Sequence, residues 1–238
     1  KRCPGNSGTF GREQGTYLMG TTKSEFRSIV IFGGAGFIGS IWTERLLKTT
    51  EAKIHIFDNL SRQGARHNLD YLQKVAGRSG RLQITVGDVR DAVMVSRVVK
   101  YATEIYNFAA QVAVTTSLVD PRLDFDVNLG GSVDILEAIR QHGQDPYLLF
   151  TSTNKVYGNS GKGEIRVKGD RYVTQGGATD ESQPLDCHSP YGCSTGAAAQ
   201  TGRSRCGPAR TSDAGCRLGE SSGRAFRSGR EQPVPRRS

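Results

Sequence analysis

Residues 28–58 read SIVIFGGAGFIGSIWTERLLKTTEAKIHIFD, and the architecture of the chain follows from them. An apolar run from Ile29 to Phe32 ends in three glycines spaced three apart, Gly33, Gly36 and Gly39, and an amphipathic segment follows directly. A second run rich in β-formers, Lys53 to Phe57, closes on an acid, Asp58, placed 22 positions after Gly36. Strand, tight turn, helix, strand and acid in this order make a dinucleotide-binding βαβ unit. Gly33 permits a turn at positive φ, Gly36 lets bare backbone approach a pyrophosphate, and Gly39 lets the helix pack closely on its strand. The free N–H groups at the helix start hold phosphate charge. A carboxylate at Asp58 can accept hydrogen bonds from both hydroxyls of an adenosine ribose and repels a 2′-phosphate, so the expected cofactor is NAD rather than NADP. The glycines alone fit any strand-to-helix turn; the context on both sides makes the reading specific.

Beyond this unit the alternation continues. NLSRQGAR, residues 59–66, is a polar loop, and His67 to Ala76 reads as a short helix with Leu69 and Leu72 inward. Leu82 to Val86 is a third strand ending in Gly87-Asp88-Val89-Arg90, and Asp91 caps a helix through Val99. Ile105 to Ala110 supplies a fourth strand, Pro121 to His142 a long helix, and Tyr147 to Phe150 a fifth strand. This is an α/β chain with a Rossmann-like, doubly wound parallel sheet. Ligands in such sheets sit at the carboxyl ends of the strands. The residues to watch are therefore Gly33 to Gly39, Asp58, Asp88, Ala109 to Gln111, and Thr151 to Lys155. His55 and His142 read as structural, Gly130 and Gly131 as packing glycines, and Trp42 and Tyr71 as helix-surface residues.

The net charge of +9 over 238 residues invites a nucleic-acid reading, but its placement argues otherwise. Residues 1–28 carry +3 and residues 201–238 carry +6, while 29–200 balance 18 basic against 18 acidic side chains. The organised part has no excess charge to neutralise phosphates, so no nucleic-acid partner is expected. No apolar run is long enough to cross a bilayer, so no membrane partner and a cytoplasmic location are expected. Five cysteines, Cys3, Cys187, Cys193, Cys206 and Cys216, form no CxxC pair, and neither a disulfide framework nor a metal site is indicated. Residues 1–27 read as a flexible extension and 28–200 as the NAD-binding domain.

The motifs GGAGFIGS (33–40), FDNLSRQGARHNL (57–69), GDVRD (87–91), AAQVAVTTSLVDP (109–121), FTSTNKVYG (150–158) and PLDCHSPYGCS (184–194) resemble, in this order and spacing, the extended short-chain dehydrogenases that act on nucleotide sugars. Within that family the wording looks most like the CDP-sugar 2-epimerases. The resemblance spans about residues 28–200. It implies an NAD-dependent isomerase that oxidises a sugar hydroxyl transiently to a ketone and reduces it again on the opposite face. It also implies a CDP-sugar or other nucleotide-sugar substrate, a place in lipopolysaccharide O-antigen biosynthesis, and association with further copies of itself. Gly33, Gly36, Phe37, Ile38 and Gly39 would contact the pyrophosphate; Asp58, Asn59, Ser61 and Arg62 the adenosine ribose side. Asp88 and Val89 would flank the adenine, and Phe108, Ala109, Ala110 and Asn128 would complete the cofactor bed. The family's catalytic Ser/Thr and Tyr fall on Thr153 and Tyr191, and Gln111, Asn154 and Lys155 are substrate-pocket candidates.

Two departures stand out. The family carries a lysine four residues after its catalytic tyrosine, and this chain has Thr195, so impaired catalysis is expected. The family also continues into a smaller sugar-nucleotide domain, whereas Thr201 to Ser238 hold nine arginines and only Leu218, Phe226 and Val234 as large apolar side chains. Such a segment buries too little surface to offset its ordering entropy. It reads as a disordered, out-of-frame tail, with the sugar-nucleotide domain missing or scrambled. Three alternatives stay open. One is a UDP-hexose 4-epimerase. Another is a dTDP-glucose 4,6-dehydratase, disfavoured because Asn154-Lys155 stand where those enzymes carry an Asp-Glu pair. The last is an NAD-binding module without catalysis.

Overall fold

The structure, a computed structural model, describes residues 27–143, 145–158, 165–174 and 184–206. Residues 1–26 of the extension read over 1–27, and residues 207–238 of the tail read over 201–238, lie outside the described residues. Five parallel strands, β1 (Ser28–Phe32), β2 (Lys53–Asp58), β3 (Leu82–Val86), β4 (Glu104–Asn107) and β5 (Tyr147–Phe150), stand in the order β3-β2-β1-β4-β5. Side chains alternate across a strand, so Ile29 and Ile31 enter one core while Val30 and Phe32 enter the other. Both faces are covered, which is why β1 is an unbroken apolar run. On one face α1 (Phe37–Thr49) and α2 (Ala65–Ala76) supply Leu46, Leu47, Leu69 and Leu72. On the other, α3 (Ala92–Val99) and a later helix supply Val95, Val99, Ile135 and Leu136.

Register brings the strand ends level. Phe32 stands opposite both Phe57 and Asn107, Asp58 opposite Val86, and Asn107 opposite Phe150. Gly33, Asp58, Gly87, Phe108 and Thr151 therefore leave the sheet along one edge, and strand order reverses between β1 and β4, the position where such sheets hold ligands.

The structure corrects several expectations. The strand read over Ile105 to Ala110 ends at Asn107, because Ala109 N–H is taken by Asn107 Oδ1 and Gln111 N–H by Asn128 Oδ1. The single helix read over Pro121 to His142 is divided into α5 (Pro121–Phe125), a π turn over Asp126–Gly130, and α6 (Gly131–Gln141), with α4 (Val114–Val119) before it. Asp120 caps α5 by accepting from Leu123 N–H, and Asp91 caps α3 by accepting from Val93 and Met94 N–H. Trp42, read as a helix-surface residue, is half-buried: its ring packs on Tyr106 with centroids 5.5 Å apart, and its indole N–H is buried. A hairpin of β6 (Ile165–Lys168) and β7 (Arg171–Thr174) precedes α7 (Pro190–Cys206). Helix α7 passes the boundary read at 200, consistent with its run of alanines, the best helix formers.

Candidate active site

The glycine turn is closed by sterics. Gly33 sits at φ +72°, and a Cβ there would lie 2.7 Å from Ala109 N. A Cβ on Gly39 would overlap Gly33 O and come within 2.7 Å of Gly34 Cα. Gly36 begins α1 with no side-chain cap, so the first-turn amides keep their free N–H groups for an incoming anion. Gly33, Gly36, Phe37, Ile38 and Gly39 all line one cleft of about 920 Å3.

Asp58 enters the same cleft and is also a brace. Its Oδ2 accepts from Ala35 N–H at 2.9 Å and its Oδ1 from Leu60 N–H at 2.8 Å. Leu60, at φ +57°, is the non-glycine residue in the left-handed region among the described residues, and it turns the chain so that Asn59, Ser61 and Arg62 line the cleft wall. Asn59 donates to Asp88 Oδ2 at 3.0 Å. Arg90 grips the same carboxylate through Nε, Nη2 and its backbone N–H, at 2.8, 2.8 and 3.0 Å. The Arg90 guanidinium, with smaller help from Asn59, holds the Asp88 carboxyl well below the usual carboxylate range. Asp88 is thus fully engaged beside the cleft, and Val89 and Arg90 form its lining.

The floor is Phe108, Ala109, Ala110 and Gln111. Beneath it lies a buried polar network that no local spacing announces. Asn128 exchanges two hydrogen bonds with the Gln111 backbone and donates to Ser194 Oγ at 3.1 Å. Gln111 Nε2 donates to Ala113 O and to Asp124 Oδ1 at 3.1 Å, while its Oε1 accepts from Ala113 N–H. Ser194 Oγ donates to Asp124 Oδ2 at 2.5 Å. Asp124 is 0% exposed, so every oxygen it has must be satisfied from within. Asn128 belongs to this network and not to the cleft lining, and Gln111 reaches the cleft with its amide already bonded.

Thr153 and Tyr191 are not among the residues that line this cleft. Thr153 caps the 3-10 turn Asn154–Tyr157, its Oγ1 accepting from Lys155 N–H. Asn154 and Lys155 are exposed. The α7 segment is brought against this turn at Gly192, where a Cβ would lie 2.5 Å from Lys155 O. Tyr191, half-buried, donates its N–H at 3.3 Å to Ser117 Oγ on α4, next in the chain to Thr116, which does line the cleft. One turn on, Thr195 is 5% exposed and its hydroxyl has no hydrogen-bond partner among the described residues. No cluster of metal-ligating side chains exists among the described residues. Residues that sequence reading missed are Asp124 and Ser194, whose partners are 70 positions apart, and Arg90, hidden inside a motif read for its aspartate.

Comparison with known proteins gives consistent results. A family model described as GDP-mannose 4,6 dehydratase matches residues 30–204. A CDP-paratose 2-epimerase of Salmonella typhi is 40% identical over 176 residues, covering 72% of this chain and 51% of that protein. A dTDP-glucose 4,6-dehydratase of Mycolicibacterium smegmatis is 31% identical over 172 residues, covering 72% and 46%. Among solved structures, the UDP-glucose 4-epimerase of Thermus thermophilus in complex with NAD is 33% identical with a TM-score of 0.57, covering 77% of this chain and 51% of that one. The dTDP-glucose 4,6-dehydratase DesIV of Streptomyces venezuelae, with NAD bound, is 28% identical with a TM-score of 0.62, covering 75% and 51%. The chain spans about half the length of the curated relatives it matches.

Proposed function

Because the chain belongs to the GDP-mannose 4,6-dehydratase family of extended short-chain dehydrogenases, we propose that its cleft holds NAD and serves the epimerisation of a nucleotide sugar of the CDP-paratose type. The observation that carries this reading is the convergence of the uncapped glycine turn and Asp58 on a single cleft at the sheet's switch point. The donor set fits a dinucleotide. Backbone amides at the α1 start face the place for two phosphates, a Cβ at Gly33 or Gly39 would close the turn, and Asp58 retains acceptor capacity beyond its two backbone bonds. When bound, NAD supplies the hydride acceptor and donor. Asn59, Ser61 and Arg62 hold the ribose side, Val89 and Arg90 the adenine side, and Phe108 to Ala110 the floor.

In this reading Tyr191 takes the proton from the sugar hydroxyl as the carbon becomes a ketone, and returns it after the sugar turns over. Thr153 hydrogen-bonds the same oxygen, and the exposed Asn154 and Lys155 contact the sugar nucleotide, while Gln111 shapes the wall through its bonds to Asp124. A free phenol titrates near pH ~10 and needs acidification to act near neutrality. A lysine ~4 Å away would contribute roughly 4 kcal/mol at an effective dielectric of about 20. Thr195 supplies no charge, so turnover is weak. The 40% identity to the 2-epimerase, against 30% to a UDP-glucose 4-epimerase of Neisseria meningitidis, favours that chemistry over 4-epimerisation, and Asn154-Lys155 speak against elimination. Threonine at 195, where the family carries a lysine, favours one second reading, NAD binding without turnover.

Calorimetric titration with NAD and NADP, followed by NMR of a CDP-paratose or CDP-tyvelose incubation, tests both. NAD binding with slow epimerisation supports the first reading, and binding without turnover the second. Absence of NAD binding overturns both. Thr195→Lys raises the epimerisation rate; an unchanged rate places the weakness elsewhere.

A further inference from the structure

The segment leading into α7 holds a feature that sugar chemistry does not use. Cys187 and Cys193, both free thiols, stand six positions apart and bracket Tyr191. Cys193, in the first turns of α7, is exposed, and its thiol donates to Cys187 O at 3.8 Å. Cys187 is half-buried, with its thiol donating to Val156 O at 3.5 Å and its sulfur 3.4 Å from the place a Cβ on Gly196 would take. Burial first, then the charge and hydrogen bonding of the adjacent Cys193 thiol, push the Cys187 thiol up. Cys193 is therefore the sulfur that meets a solvent electrophile first, and Cys187 the one placed to follow.

We infer that Cys187 and Cys193 are a thiol pair that closes into an internal disulfide by exchange with a small disulfide such as oxidised glutathione. Cys193 thiolate attacks one sulfur of the oxidised glutathione, breaking its S–S bond and releasing one glutathione thiolate, which takes up a proton. Cys187, losing its proton to solvent, then attacks Cys193 Sγ in the mixed disulfide and expels the second glutathione. Two protein S–H bonds are lost, one protein S–S bond forms, and one oxidised glutathione becomes two reduced ones. The Cys193 sulfur lies 3.8 Å from Cys187 O, which brings it to the residue whose sulfur it must meet; a disulfide spans Cβ atoms about 3.8 Å apart. The closed ring contains Tyr191, so oxidation fixes the backbone of the residue assigned above to proton transfer. The thiol chemistry itself stands independently of that assignment.

The test uses the full chain. After exposure to oxidised glutathione and alkylation of remaining thiols, tryptic peptide 172–203, which contains Cys187 and Cys193 as its two cysteines, is recovered two hydrogens lighter than reduced and unalkylated. Cys187→Ser stops at the Cys193 mixed disulfide, and Cys193→Ser leaves Cys187 largely unmodified. Closure in the folded chain is on the order of tenfold faster than in denaturant, since folding presents the two sulfurs to each other. Alkylation of both cysteines, a stable glutathione adduct on the unmutated chain, a bridge to Cys3, Cys206 or Cys216, or equal rates folded and denatured would each overturn the proposal.

Discussion

At residues 33 and 39 the limiting quantity is space. A methyl group at Gly39 overlaps the Gly33 carbonyl, and one at Gly33 meets the Ala109 backbone from a left-handed φ. Main chain cannot yield as a side-chain tip can, so Gly39→Ala costs about 1–3 kcal/mol, read as a lower urea midpoint together with weaker NAD binding; an unchanged midpoint would refute the steric account. At Thr195 the limiting quantity is polarity. Thr195→Val removes a buried hydroxyl without a partner and raises stability by about 1 kcal/mol in thermal melts. At Asp88 it is charge. A carboxyl whose folded pKa is depressed binds fewer protons folded than unfolded above that value, so its contribution is present above the unfolded pKa of about 3.9 and fades as pH falls toward the depressed value. Arg90→Ala therefore lowers stability at neutral pH and flattens the acid limb, checked by urea midpoints from about pH 6 to about pH 2. Parallel pH curves for the two proteins would contradict it.

The elements around Tyr191 are held from below. Helix α7 meets α4 through Ser117, the 3-10 turn through Gly192, and α5 and the π turn through Ser194, Asp124 and Asn128. Asp124→Ala leaves one Gln111 amide N–H without its buried acceptor and the Ser194 hydroxyl with only Tyr191 O to donate to, at a cost of about 3 kcal/mol. Hydrogen exchange should speed up across the α7 amides before it does so in β1, and uniform loss would argue against a local role. None of this network is legible in the sequence, and the reason is distance: Asp124 finds Gln111 13 positions away and Ser194 70 away. The division of the expected Pro121 to His142 helix is hidden for a related reason. DVNLG keeps a helical pattern in sequence, while Gly131 is pressed against another strand-helix loop, where its Cβ would lie 2.7 Å from the Val89 side chain. The glycine turn, Asp58 and the Asp91 cap are legible because their chemistry is local: spacing along the chain fixes which atoms meet.

Over the whole molecule, the two apolar cores share one sheet, so the cofactor edge and the packed interior unfold together. A ligand that binds only the folded state stabilises by about 2.7 kcal/mol at a hundredfold excess over Kd. NAD therefore raises the melting temperature of the entire transition, and NADP does so less because Asp58 repels the extra phosphate; equal shifts would remove the selectivity argument. The described sheet ends at β5, which pairs with β4 alone among the described residues. The residues proposed to hold the cofactor follow β1 to β4, whereas Thr153 follows β5.

Asp58 links cofactor choice to the bracing of the backbone. Its two oxygens hold the Ala35 and Leu60 amides, the first inside the glycine turn and the second at a left-handed leucine. Replacing this acid with alanine or glycine, to admit the 2′-phosphate of NADP, would release both amides at once. A neutral residue at this position therefore keeps the turn braced only where acceptors for both amides are supplied again.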